Sequence, residues 1–130
     1  MLTNSEQLQT YKLELPFYSL NEYRNAHYFK LSSLKKEYAQ SVFWQIKQQG
    51  YKPIPGPVAL RFVYHWKQTN YDLDNQVVSK FIIDTLKPSG KTNAIGLGII
   101  TNDNIRYVRK ITHEAGFRQD NTIDLLIHIL

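Results

Sequence analysis

At 130 residues the chain has the length of a single domain, enough to bury roughly two-thirds of its unfolded surface without staples. The absence of cysteine excludes disulfides and thiolate zinc sites, and no apolar run approaches the roughly 20 residues of a membrane span. The formal charge of +5 is unevenly placed: residues 1–70 hold nine Lys/Arg and four Asp/Glu, whereas residues 71–130 hold seven of each. A basic surface beside a group of acids suits a polyanionic partner, although +5 is common in proteins that never meet nucleic acid. The opening MLTNSEQLQTY has neither the basic start nor the apolar run of a signal peptide, which fits a reducing, cytoplasmic setting.

Residues 11–17 alternate apolar and polar with period two and predict a half-buried strand, which Pro16 puts near a sheet edge or an end. Residues 18–31 (YSLNEYRNAHYFKL) have no clean period and predict an irregular loop. Its polar and aromatic groups, Arg24 and Lys30 among them, suit phosphate and bases; packing on the core explains the aromatics as well. A helix follows, capped by Ser32 or Ser33 and stopped by Gly50. Leu34, Tyr38, Val42 and Ile46 form its buried stripe, widened by Phe43 and Trp44, with Lys35 and Lys36 off that stripe.

After the turn Pro53-Ile54-Pro55-Gly56-Pro57, residues 58–67 alternate cleanly. Val58, Leu60, Phe62, Tyr64 and Trp66 are predicted to face the core, and Arg61, His65 and Lys67 the solvent. A second helix runs from about Asn75 to Lys87, where Pro88 ends it; it buries Val78, Phe81, Ile82 and Leu86, and Lys80 and Asp84 stand at pairing distance on its flank. Residues 88–98 read as a flexible, Gly-containing connection and 105–113 as a strand. The last strand, 122–130, sets Ile123, Leu125, Ile127 and Ile129 on one face. The fold class is therefore α+β: a single domain of β-α-β-α-β-β order, with a mixed sheet packed with two helices.

At the junction of the second strand and second helix stands Tyr71-Asp72-Leu73-Asp74-Asn75. In an extended segment Asp72 and Asp74 point to one side, whereas in a helix they diverge by about 200°. Two like charges side by side are costly unless they share a cation, and a hard ion such as Mg²⁺, held by carboxylates, water and phosphate, relieves that cost. The same residues also fit a plain helix N-cap with acid at its positive end. Asp103, in the polar turn TNDN before a strand, reads on composition as a turn aspartate.

The run Asp72-Leu73-Asp74-Asn75, then Lys80, Asp84 and Leu86, then Asn102-Asp103 before a strand resembles the RusA family of Holliday junction resolvases. Ser19-Leu20-Asn21-Glu22-Tyr23-Arg24-Asn25 is similar to that family's loop after its first strand, so the resemblance spans nearly the whole chain. It implies a RusA-like fold and a homodimeric, Mg²⁺-dependent endonuclease (Mn²⁺ as a substitute) that resolves four-way DNA junctions in a bacterial or prophage setting. It implies Asp72, Asp74 and Asp103 as the metal-binding acids and Lys80 as the essential base. Two departures stand out: Lys80 follows Asn75 by five residues where the family has three, and Asn102 replaces one acid of a pair. The expected DNA contacts are Arg24, Lys30, Lys35 and Lys36, with Tyr71 stacking on an unpaired base. Two other readings stay open: a branched-DNA-binding relative that does not cut, and a small protein-interaction domain whose acids only cap a helix.

Overall fold

Val58–His65 and Thr122–Ile129 are the two inner strands of the sheet, each hydrogen-bonded along both edges. The computed structural model describes residues 8–14, 28–67, 78–90 and 95–130, with the backbone alone for 28–35. These form β1 (Leu8–Glu14), α1 (Tyr28–Gln49), β2 (Val58–His65), α2 (Val78–Leu86), β3 (Val108–Ala115) and β4 (Thr122–Ile129), in the order the sequence predicts. The four-stranded sheet runs β1-β4-β2-β3, with β4 antiparallel to both β1 and β2, and β3 parallel to β2. The domain is thus α+β, a mixed sheet with two helices.

Alternation decides which face is buried. Tyr11 and Leu13, then Val58, Leu60, Phe62 and Tyr64, then Ile123, Leu125 and Ile127 all point to one side and are nearly inaccessible. Val42 and Ile46 of α1 and Ile82 and Leu86 of α2 close over them in the same core cluster. The stripes expected for both helices are therefore the packed ones, with Phe81 stacked on Tyr38 at 5.1 Å between ring centroids.

Four local expectations are corrected. The first helix begins at Tyr28 rather than at Ser32 or Ser33, since nothing between 28 and 33 breaks a helix and the serines' preference for caps is too small to end one. Trp44 does not widen the buried face: it is 57% exposed, as a residue two positions from buried Val42 turns about 200° away from it. Lys47 Nζ lies over the Phe43 and Trp44 rings instead, 5.4 and 5.2 Å from their centroids. Residues 88–98 are not a loose connection at their described ends, where a Pro88–Leu97 bridge and backbone hydrogen bonds hold the chain against the end of α2.

The fourth correction is His65, which alternation puts at the surface but which is buried. Its Nδ1 faces the Arg118 backbone N–H at 3.2 Å and must accept, so Nε2 carries the proton and donates to Asp124 Oδ2 at 2.9 Å. The loop after β3 folds across this ring, pinned by the Gly116 N–H on the Tyr64 carbonyl (2.8 Å) and the Asn121 N–H on the His65 carbonyl (2.8 Å). Both ring nitrogens are bonded, which makes the burial tolerable.

The two sheet edges are treated differently. Gln45 and Gln49, one helical turn apart on α1, lie along β1 and satisfy its outward backbone. Gln49 accepts from the Lys12 N–H (3.1 Å) and donates to the Lys12 carbonyl (2.9 Å). Gln45 accepts from the Glu14 N–H (2.7 Å) and donates to the Glu14 carbonyl. Side-chain amides stand in for a further strand and blunt this edge.

A Cβ at Gly116 would overlap Cε1 and Nδ1 of the His65 ring, which its two hydrogen bonds prevent from moving aside. Gly116→Ala is expected to lower stability by about 2–3 kcal/mol, the cost of overpacking a held group. Urea unfolding checks it, and an unchanged midpoint would show that the ring has room to shift.

Candidate functional site

The chain leaving α2 turns back over the helix end. The Leu97 N–H bonds to the Thr85 carbonyl (2.9 Å), the Gly98 N–H to Lys87 (3.1 Å) and the Ile100 N–H to Leu86 (3.1 Å). These satisfy carbonyls that a helix C-terminus otherwise leaves unpaired. The return is tight: a Cβ on Gly96 would overlap the Lys87 carbonyl oxygen, and Gly98 has φ +72, a conformation glycine adopts without strain. Bridges between Pro88 and Leu97 and between Ile54 and Ile100 then fix the approach to Asp103.

Asp103 is exposed, its N–H bonded to Asn102 Oδ1 at 2.8 Å and its carboxylate 3.5 Å from Lys87 Nζ. Lys87 Nζ is also 3.6 Å from Asp84 Oδ1, so the cation sits between two acids, one from the helix and one from the turn. This differs from the expected Lys80–Asp84 pair. Lys80 is exposed near the start of α2 and has no ion-pair partner among the described residues; it lies about 10 Å along the helix axis from Lys87. The basic group that the fold brings to Asp103 is Lys87.

Tyr71, Asp72 and Asp74, on the connection between β2 and α2, lie outside the described residues, as does Arg24. Lys30 and Lys35 are on α1 with side chains outside the described residues, and Lys36 is exposed on the same helix. Among the described residues no three His, Asp or Glu side chains gather as a metal-binding group. No described helix is long and apolar enough to cross a membrane.

Two polar clusters escape a reading of the sequence, because each joins residues more than 45 positions apart. At the carboxyl ends of β2 and β3, the Tyr64 hydroxyl is 2.7 Å from His113 Nδ1 and also bonds to Ser79 near the start of α2. Burial holds the Tyr64 phenol well above its ordinary range and pulls the His113 imidazole down, so both are neutral near pH 7. The rings of Phe62 and Tyr64 stack on His113 at 5.5 and 5.7 Å. This contact also orients α2, whose start lies at the carboxyl end of β2 and whose far end lies at Asp103.

The second cluster surrounds Arg118, which donates to Asp120 Oδ2 (3.1 Å) and to Asp124 Oδ1 (2.9 Å). Burial would raise the Asp124 carboxyl, but the bonds from Arg118 and His65 outweigh it and hold the group below its usual value. The Thr122 hydroxyl, donating at 2.5 Å, with Arg118 and Lys12 brings Asp120 down to about 2. Alternation of Thr122 and Asp124 along β4 is the only sequence signal of this cluster.

A scan against protein-family models gives no match to this chain, and a search of curated proteins gives none either.

Asp120 yields a pH prediction. Its folded pKa is depressed, so its contribution is present above the unfolded value near pH 4 and is lost as pH falls through about 2. Unfolding midpoints taken between pH 5 and 2 should therefore decline over this window, and Asp120→Asn should flatten the decline. An equally steep acid limb in the variant would place the titrating group elsewhere.

Proposed function

We propose that this chain is a Mg²⁺-dependent endonuclease acting on four-way, branched DNA, working as a symmetric dimer that presents one acidic site to each of two strands. The observation that carries the reading is the ordered set of Asp72, Asp74, Asn75, Lys80 and Asp103 on a strand–helix–strand unit, with Asp103 exposed before the strand that adjoins β2. The donors are hard carboxylate oxygens, which suit Mg²⁺, and Asp103 meets solvent rather than the core.

In this reading Asp72, Asp74 and Asp103 hold the ion, which when bound supplies a polarised phosphate and a water of lowered pKa. The fold sets a condition on that arrangement. The described residues that flank the 68–77 connection, Lys67 after β2 and Val78 at the start of α2, lie toward the carboxyl end of β2, whereas Asp103 is at the far end of α2. Asp72 and Asp74 stand near the middle of the connection, and six extended residues span about 20 Å, against about 13 Å for α2. The connection is therefore long enough for its carboxylates to reach Asp103. Lys87, already beside Asp103, can offset charge on the phosphate oxygens, with Lys80 assigned the same task by resemblance.

The contact between Lys87 and Asp103 also favours a second reading, a branched-DNA-binding protein that does not cut, since an acid held by a lysine is a poorer ligand for a cation.

A labelled synthetic four-way junction, incubated with and without Mg²⁺ or Mn²⁺, separates the two. Paired cuts near the branch that require the metal are expected. Asp74→Asn should abolish cutting while leaving junction binding intact, because removing a negative charge lessens repulsion of phosphate. Lys87→Ala or Lys80→Ala should slow cutting by about 100-fold, whichever supplies the transition-state charge. Binding without metal-dependent cutting selects the second reading, and failure to bind the junction at low salt rejects both.

A further inference from the structure

The strand that opens the sheet's free side begins with an irregularity that has a chemical consequence. Val58 pairs with Val108, but Ala59 pairs with Lys110, so Arg109 is an extra residue opposite the bond between Val58 and Ala59. Val108 is buried; Ile111, 44% exposed on the edge strand, pairs with core-facing Leu60 and so shares its face, as His113 shares that of its stacked partner Phe62. Residues three apart in a regular strand face opposite sides, and here the regular pattern would turn Lys110 toward the helices. The bulge removes that conflict: Arg109 and Lys110 are both exposed, consecutive cations on the outside of the strand.

The turn before the bulge is tied together by hydrogen bonds and carries further exposed residues. The Asn104 carbonyl accepts from the N–H groups of Tyr107 (3.0 Å) and Val108 (2.9 Å), and Asn104 Oδ1 accepts from the Arg106 N–H (3.0 Å). The Val58 N–H holds the Tyr107 carbonyl at 2.8 Å, tying the turn to the central strand. Arg109 Nη1 reaches back to the Ile105 carbonyl at 3.4 Å. Ile105 projects from this frame with 83% of its surface exposed, and Arg106 beside it is exposed as well. None of Arg106, Arg109 and Lys110 has an ion-pair partner among the described residues, in contrast to Arg61 and Arg118, each held by carboxylates. A lone exposed isoleucine is ordinary. One fixed between cations with no carboxylate to neutralise them, two residues from Asp103, is a surface shaped for a polyanion that also offers apolar faces.

We infer that the Asn104 turn and the bulged start of β3 form the DNA-holding surface beside Asp103: Arg106, Arg109 and Lys110 bind backbone phosphates, and Ile105 packs against a base left unstacked at the branch. The inference rests on the proposed branched-DNA reading and assigns its substrate contacts to residues in the charge-balanced half of the chain. Phosphate contacts release counterions, so each should add about one to the slope of log affinity against log salt. Ile105 has no charge to contribute to that slope. Setting an apolar side chain against a base in intact duplex requires unstacking that step, whereas a branch point offers base faces already open, so the effect of Ile105 should be concentrated on branched DNA.

The test uses the full chain, a fluorescent four-way junction and a duplex of the same sequence, with affinity measured across a salt series. Arg106→Gln with Arg109→Gln should lower the slope by about two on both DNAs, and Lys at both positions should restore it. Ile105→Ser should leave duplex affinity unchanged and weaken junction binding by at least fivefold. Lys12→Gln, on a cation already paired with Asp120, serves as the control and should leave the slope as it is. All four side chains are exposed, and matching unfolding midpoints confirm that the variants fold. Junction binding with an unchanged slope in the double variant overturns this inference and leaves the proposed function standing. A wild-type chain that binds neither DNA at low salt overturns both. An equal loss on duplex and junction for Ile105→Ser removes the contact with an unstacked base.

Discussion

Because β3 runs parallel to β2, the chain must leave one end of the sheet, cross its face and re-enter at the other. Among the described residues, α2 and the return at 95–107 make that crossing. Helix α2 is laid over the core, with Ser79 tied to the Tyr64 hydroxyl at one end and the Leu97–Ile100 return capping the other. In chain order the Asp72–Asp74 segment belongs to the connection leaving β2, and Asp103 to the one entering β3. Any chemistry that uses them together depends on the length of the first connection.

The sheet's asymmetry follows from its edges. On β1, the paired amides of Gln45 and Gln49 occupy the backbone groups that another strand would use, and α1 shields that side. On β3, no described element covers the outer edge, and the strand is bent by its bulge and lined with cations. Charge and curvature discourage strand addition there without filling the edge, which leaves the surface available to an anion.

The polar groups divide in the same way. His65, Asp124, Arg118 and Asp120 are mutually satisfied and hold the loop after β3 against the end of β2, an arrangement in which proton and charge are both committed to structure. Arg106 and Lys110 are uncommitted among the described residues, and Lys87 is shared between Asp84 and Asp103 at distances that water and a ligand could contest. Partly exposed pairs of this kind contribute modestly to stability, so their exchange for phosphate or a cation costs the fold little.

Local periodicity was enough to read the element order and the core. Alternation at Leu60, Phe62 and Tyr64 and at Ile123, Leu125 and Ile127, and the four-residue stripe of Tyr38, Val42 and Ile46, each need only one element to be regular. The D-x-D-N run and Asp103 were legible for the same reason, as residue types at fixed positions beside those elements. What escaped the sequence depends on two elements meeting. His65 is buried because Gly116 and Arg118 close over it and Asp124, 59 residues away, takes its proton-bearing nitrogen. Asp103 finds Lys87 rather than the helix finding its own Lys80–Asp84 pair, because the glycine-lined return after α2 sets the turn against the helix's last residues. Arg109 and Lys110 share the solvent side only because pairing with β2 inserts a bulge. Sequence by itself determined which residues repeat with which period; tertiary structure decided the partners, since a hydrogen bond or ion pair is fixed by distance in space, and distance between distant residues has no local signature.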